Sequence, residues 1–183
     1  ELAIRHPRIS RTGERPFLWQ GPERLVARIS SLAPDHLVLQ GGGAHRIEAD
    51  NRQILLTLGQ AQASLDMTAQ GLRGLQLAVE NVEIEGAFSQ PARLSRLTLE
   101  ISRRFDVALE DLQTPTATLA LFAERIALPP DVKAPLGEEI AKLNLSLALF
   151  GPVPGGLQAD PLKSWSDAGG ILDLKALHLE WGP

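Results

Sequence analysis

The stretch Leu143-Asn144-Leu145-Ser146-Leu147-Ala148-Leu149 decides the fold. Leucine stands at every second position, and small or polar residues fill the gaps. Successive side chains of a strand point to opposite faces, so this spacing puts all four leucines on one face. A helix would scatter them around its circumference.

The same period recurs on either side. Leu75, Leu77 and Val79 alternate with Gln76, Ala78 and Glu80, and Val82 and Ile84 run on after an offset. Leu97, Leu99 and Ile101 alternate with Thr98 and Glu100, with Leu94 upstream. Leu172 and Leu174 continue, after a one-residue slip at Lys175-Ala176, as Leu177, Leu179 and Trp181. Such a slip reverses the facing unless a bulge absorbs it. Leu25 to Ile29, His36 to Gln40, His45 to Ala49 and Thr118 to Leu128 read as further strands. Arg52 to Leu58 and Ala63 to Ala69 read as a hairpin across Gly59-Gln60, and Gly41-Gly42-Gly43 as a turn. One segment favours a helix: Pro135 to Leu143, with Leu136, Ile140 and Leu143 at helical spacing and Glu138-Glu139 behind a first-turn proline.

About ten strands with one apolar face each, and little helix to cover them, must cover themselves. The expected fold is mainly β: a strongly curved antiparallel sheet, as a half-pipe, open barrel or sandwich, with one short helix at its end or opening. The apolar residues are expected on the concave side. Residues 1–183 form a single domain, expected to be a fragment of a longer chain because it starts at Glu1 and stops just after a strand-like stretch.

Composition narrows the function. A net charge of −4 offers no electrostatic attraction for nucleic acid. With no cysteine, disulfides and thiol chemistry are absent. No apolar run approaches the roughly 20 residues that cross a bilayer. His6, His36, His45 and His178 show no metal-ligand spacing; a His36/His45 pair across a hairpin at the glycines is the nearest approach to one. The triple glycine lacks the Lys-Ser/Thr ending of a phosphate loop, and no Gly-x-Ser-x-Gly occurs. Carboxylates such as Glu80, Glu83 and Glu85 read as solvated charges. No catalytic residue, metal or cofactor is expected, and the chain is read as non-enzymatic.

The apolar face remains. Thirty-two leucines and only 4% aromatic residues make an adaptable interior, and a self-covering curled sheet leaves room for an apolar groove. Its expected lining is Leu77, Leu97, Leu99, Leu121, Leu145, Leu147, Leu174 and Leu179. The ligand would be lipid or another apolar molecule. The alternative is a structural or protein-interaction domain with a filled core.

Longer motifs add a resemblance. Leu143-x-Leu-x-Leu-x-Leu-Phe150-Gly-Pro-Val-Pro154 is followed by Leu162-Lys-Ser-Trp165-Ser-Asp-Ala168-Gly-Gly-Ile-Leu172 and by Leu177-His-Leu-Glu-Trp181-Gly-Pro183. Together with Leu128-Pro129-Pro130 and Leu136 to Ile140, they resemble the bacterial domain-of-unknown-function family 2125. The resemblance covers mainly Leu128 to Pro183; Arg15-Pro16-Phe17 and Trp19 to Pro22 match loosely. It implies a Gram-negative envelope protein with a periplasmic body, usually preceded by an N-terminal signal or an anchor in the inner membrane outside this chain. Its members usually continue past Trp-Gly-Pro with another strand. Envelope proteins are thus possible partners, and a fold-level likeness extends to large lipid-transfer proteins with long β grooves.

Overall fold

The computed structural model describes residues 1–12, 16–49, 52–107, 111, 113–130, 132, 134–151 and 161–182. Among them are twelve strands and one helix. The strands are β1 (Leu2–Arg5), β2 (Arg8–Arg11), β3 (Phe17–Gln20), β4 (Arg24–Ser30), β5 (Ala33–Gln40) and β6 (Gly43–Ala49). They continue as β7 (Arg52–Thr68), β8 (Gly71–Glu85), β9 (Ala92–Arg103), β10 (Ala117–Ala127), β11 (Glu139–Phe150) and β12 (Ile171–Trp181), with helix α1 at Pro161–Asp167.

All twelve strands belong to one antiparallel sheet that does not close. Its order reduces to a meander of nine long rungs. β1 pairs with β4 while β2 pairs with β3. β4 and β3 in turn pair with β5 and β6, and these two lie end to end along the single strand β7. From β7 each strand pairs with the next, out to β12. The fold is mainly β, and its sheet is antiparallel and open as expected; among the described residues there is a single sheet, so of the three expected forms the sandwich is not adopted.

A transverse crease crosses this sheet. Gly59, Asn81, Ser95, Arg125 and Ala141 form a row in which ladder pairing is skipped, although the register is the same on both sides across β7 to β11. In the first three rungs the line passes through His6, Gly21-Pro22 and Gly41-Gly42, where the strands break in two. Among the described residues, the non-glycine residues with left-handed backbone, His6, Asn81 and Arg125, all lie on it, at φ of 46°, 52° and 48°. Ser95 ties the line together: its hydroxyl donates to the Glu124 carbonyl and accepts from Arg125 Nε. The apolar period changes phase at this same row, from Val79 to Val82, from Leu94 to Leu97 and from Ile140 to Leu143. The strands therefore skip one step of their alternation at the crease, and at Asn81 and Arg125 the backbone there is left-handed.

Three expectations on local structure are corrected. Gly59-Gln60 is no hairpin turn: β7 runs straight through it for 17 residues, because the phase change there belongs to the crease. Gly41 and Gly42 do not reverse the chain but join collinear strands, with the Gly41 amide bonded to the Ala61 carbonyl. A Cβ on Gly42 would collide with the Gly59 carbonyl, which accounts for glycine at this crossing. Pro135 to Leu143 is not helical. Pro135-Leu136 is a turn, Gly137 adopts φ +119°, and the chain enters β11 at Glu139. Ladder bonds to both neighbours outweigh a weak helical preference. The helix lies at Pro161–Asp167 instead, where the Trp165 indole donates to the Phe150 carbonyl and its ring lies against Gly170.

Candidate functional site

Directly paired residues of an antiparallel ladder share a face, so the registers assemble the leucines into rows across the rungs. One row runs Leu77, Leu99, Leu121, Leu145 and Leu177 from β8 to β12, extended through Ala63 to Leu39 on β5. A second runs Ile29, Leu37, Leu65, Leu75, Ile101, Leu119, Leu147 and Leu174. A third places Leu97 and Leu179 with Val79, Ala123 and Leu143. All eight residues singled out from sequence thus lie on one face. The others that share it, notably Leu75, Leu119, Leu143 and Leu177, carry the same period-two signal.

The slip at Lys175-Ala176 is absorbed as a bulge: Leu147 pairs with Leu174 and Ser146 with Ala176, leaving Lys175 as the extra residue. This keeps both halves of β12 in phase with the leucine face.

The face is part-exposed. Val79 and Ala123 at its centre retain 3% and 2% of their surface, but on β12 Leu172, Leu174, Leu177 and Leu179 keep 56%, 53%, 59% and 44%. The chain exposes 12155 Å² in total, against roughly 8,600 Å² for a compact monomer of this mass. The excess is what a single-layer sheet leaves uncovered.

The opposite face is polar. Gln40, Gln62, Ala78, Thr98, Phe122, Asn144 and His178 make one row. Beside it runs a ladder of alternating charge, Glu80, Arg96, Glu124, Lys142 and Glu180, with contacts of 3.5 to 3.9 Å for Glu80–Arg96, Arg96–Glu124 and Lys142–Glu180. The His178 hydrogen bond, and then Lys142, hold the Glu180 carboxyl below its ordinary value. Glu83, read from sequence as a solvated charge, pairs with Arg93 at 2.6 Å.

A shallow hollow of about 380 Å³ lies mainly over polar-face residues, among them Ser64, Ala78, Ala120, Gln62, Gln76, Glu100, Phe122 and Asn144, and three of the residues singled out from sequence, Leu77, Leu99 and Leu121, also line it. A neighbouring one of about 450 Å³ shares Gln62 and Ala78 with it and reaches the crease at Gly42 and Gly59. Most of the side chains at these hollows belong to the polar face, and the leucine face itself is a broad, part-exposed surface.

Among the described residues no cluster of three or more His, Asp or Glu side chains is placed to hold a metal ion. His36 and His45, weighed from sequence as a pair, do not face each other: His36 lies opposite Asp66, with its Nδ1 2.7 Å from the carboxylate, and His45 opposite Leu56. His45 is set apart in another way. Its ring lies 5.9 Å from that of Trp19, its Nε2 is buried without a hydrogen-bond partner, and burial lowers its pKa from the ordinary 6.5.

No helix among the described residues is long and apolar enough to cross a membrane. No curated protein and no solved structure matches the chain. A family model described as "Uncharacterized protein conserved in bacteria (DUF2125)" matches residues 1–183, well beyond the motif-bearing third where the sequence likeness was most distinct, and the chain belongs to that family.

Proposed function

We propose that this domain is a non-enzymatic binding module of the bacterial periplasm whose leucine face receives the acyl chains of a lipid or another apolar ligand. The observation that carries this reading is the uncovered leucine face of a single-layer sheet. A half-exposed leucine forgoes about half of the roughly 1.5–3 kcal/mol that full burial contributes, and an occupant recovers it. The longest row crosses eight rungs spaced about 4.8 Å apart and so measures roughly 34 Å, enough to lay an acyl chain flat across it. The envelope setting rests on the resemblance described above, in which family members carry a periplasmic body.

Native mass spectrometry and organic extraction of the protein purified from cells provide the test. Co-purifying lipid is expected, to be lost in Leu121→Asp and retained in Gln76→Glu on the polar face, with circular dichroism verifying the fold of both. Lipid-free wild-type protein, or equal lipid on both variants, would refute the proposal in favour of a protein-interaction domain.

A further inference from the structure

The two hollows of about 380 and 450 Å³ share Gln62 and Ala78, so they adjoin one another over the middle of the sheet. Small side chains leave the room: Ser64, Ala78 and Ala120 stand where longer residues would fill it. Among the described residues at the two hollows, Glu100 and Glu80 carry charge and no Lys, Arg or His is present.

Glu100 is exposed, and no cation among the described residues pairs with it. The register accounts for this. Gln76 and Ala120 stand on either side of it, Thr98 and Ser102 before and after it on the same face of β9, and Phe122 diagonally across, and none of these is charged. Glu83, Glu124 and Glu180 on the same face each contact an Arg or a Lys. Glu80 has Arg96 at 3.5 Å, but that guanidinium also serves Glu124, so both ends of the hollow remain short of positive charge. Four residue steps and one rung separate Glu80 from Glu100, roughly 14 Å between their Cα atoms. The uncharged row of Ala78, Thr98 and Phe122 crosses between them.

Two carboxylates set apart, with hydroxyls, amides and one ring between, match a ligand whose cations are set apart by methylenes. Carboxylates accept charge-assisted hydrogen bonds from ammonium groups, and the face of a phenyl ring attracts an organic cation. A neutral sugar would leave Glu100 without a counter-charge. A peptide that docks through its backbone needs an unpaired strand edge, whereas β7 to β10 are paired on both sides. We infer that the adjoining hollows form a binding site for a linear polyamine, with Glu100 and Glu80 each holding an ammonium group and Phe122 against the chain between them. The inference is independent of what the leucine face receives.

Equilibrium dialysis of the protein against labelled spermidine, at an ionic strength of roughly 0.15 M, provides the test. Saturable binding is expected. Glu100→Gln is expected to weaken it by roughly tenfold or more, and Phe122→Leu by about two- to fivefold. Glu85→Gln removes the same charge at the end of β8, outside both hollows, and is expected to leave the affinity unchanged. Circular dichroism verifies the fold of each variant. Absence of saturable binding overturns the inference, as does an equal loss in Glu85→Gln, which would reduce the effect to the general attraction of an acidic chain. Binding of neutral maltotriose, or of an extended Lys-Ala peptide, as tight as that of spermidine would overturn it in favour of a sugar or a protein segment.

Discussion

Leu147 stands with Leu119 on one side and Leu174 on the other and is part-buried. Truncating a fully packed leucine costs about 2–5 kcal/mol. On this part-exposed face Leu147→Ala is expected to cost less, about 1–2 kcal/mol, read as the shift in urea midpoint, while lipid occupancy falls. A loss above that range with unchanged occupancy would place Leu147 in ordinary core. His45 supplies a pH dependence. Its folded pKa lies below 6.5, so between the two values the unfolded chain takes up a proton that the folded chain does not. Its contribution is complete above pH 6.5 and lost as pH falls from there to the lowered value. His45→Leu, in line with Leu56 and Ile84, is expected to be less sensitive to acid than the wild type between pH 7 and 5; denaturation curves of equal slope across that range would remove His45 from the account. At this scale the sequence was informative about the leucines, because facing follows from alternation alone. It could not mark His45, whose environment comes from Trp19 on another strand.

Elements were legible wherever alternation ran unbroken, as from Leu97 to Ile101 in β9, from Leu143 to Leu149 in β11 and in the first half of β8. They were misread at the crease, where a change of phase looks locally like a turn. In β7 the offset between Leu58 and Ala61 suggested a hairpin, yet the chain continues straight because the neighbouring rungs change phase at the same row. One strand read by itself does not contain that information. The helix at Pro161–Asp167 was missed because the segment is short and the competing Pro135 to Leu143 stretch has the better apolar spacing. The crease makes its own prediction. Asn tolerates left-handed backbone and a β-branched residue does not. Asn81→Gly is expected to be nearly neutral, and Asn81→Val to destabilise by about 1–3 kcal/mol, measured by thermal or urea unfolding. Equal stability of the two variants would mean that the left-handed turn is dispensable.

For the whole molecule, the measurable quantity is surface. A single-layer sheet buries less on folding than a two-layer domain of equal length, and the urea m-value follows the area exposed on unfolding. With 12155 Å² accessible in the folded state, m is expected to be roughly 18% below that of a compact protein of this size, and to rise when apolar ligand covers the leucine face. An m-value typical of a compact domain in lipid-free monomeric protein would show that the sheet is covered in solution. Fold class was readable at this scale because one-sided strands without helices permit few architectures. Whether the sheet closes was not, since alternation is identical in a barrel and in an open sheet. The crease also bears on stiffness. A continuous ladder resists bending across its strands, whereas a row with few rung-to-rung bonds is compliant, like the fold line of a map. The panels on either side keep their internal registers while the angle between them adjusts, so the curvature of the leucine face need not be fixed in advance but can conform to the thickness of what lies on it.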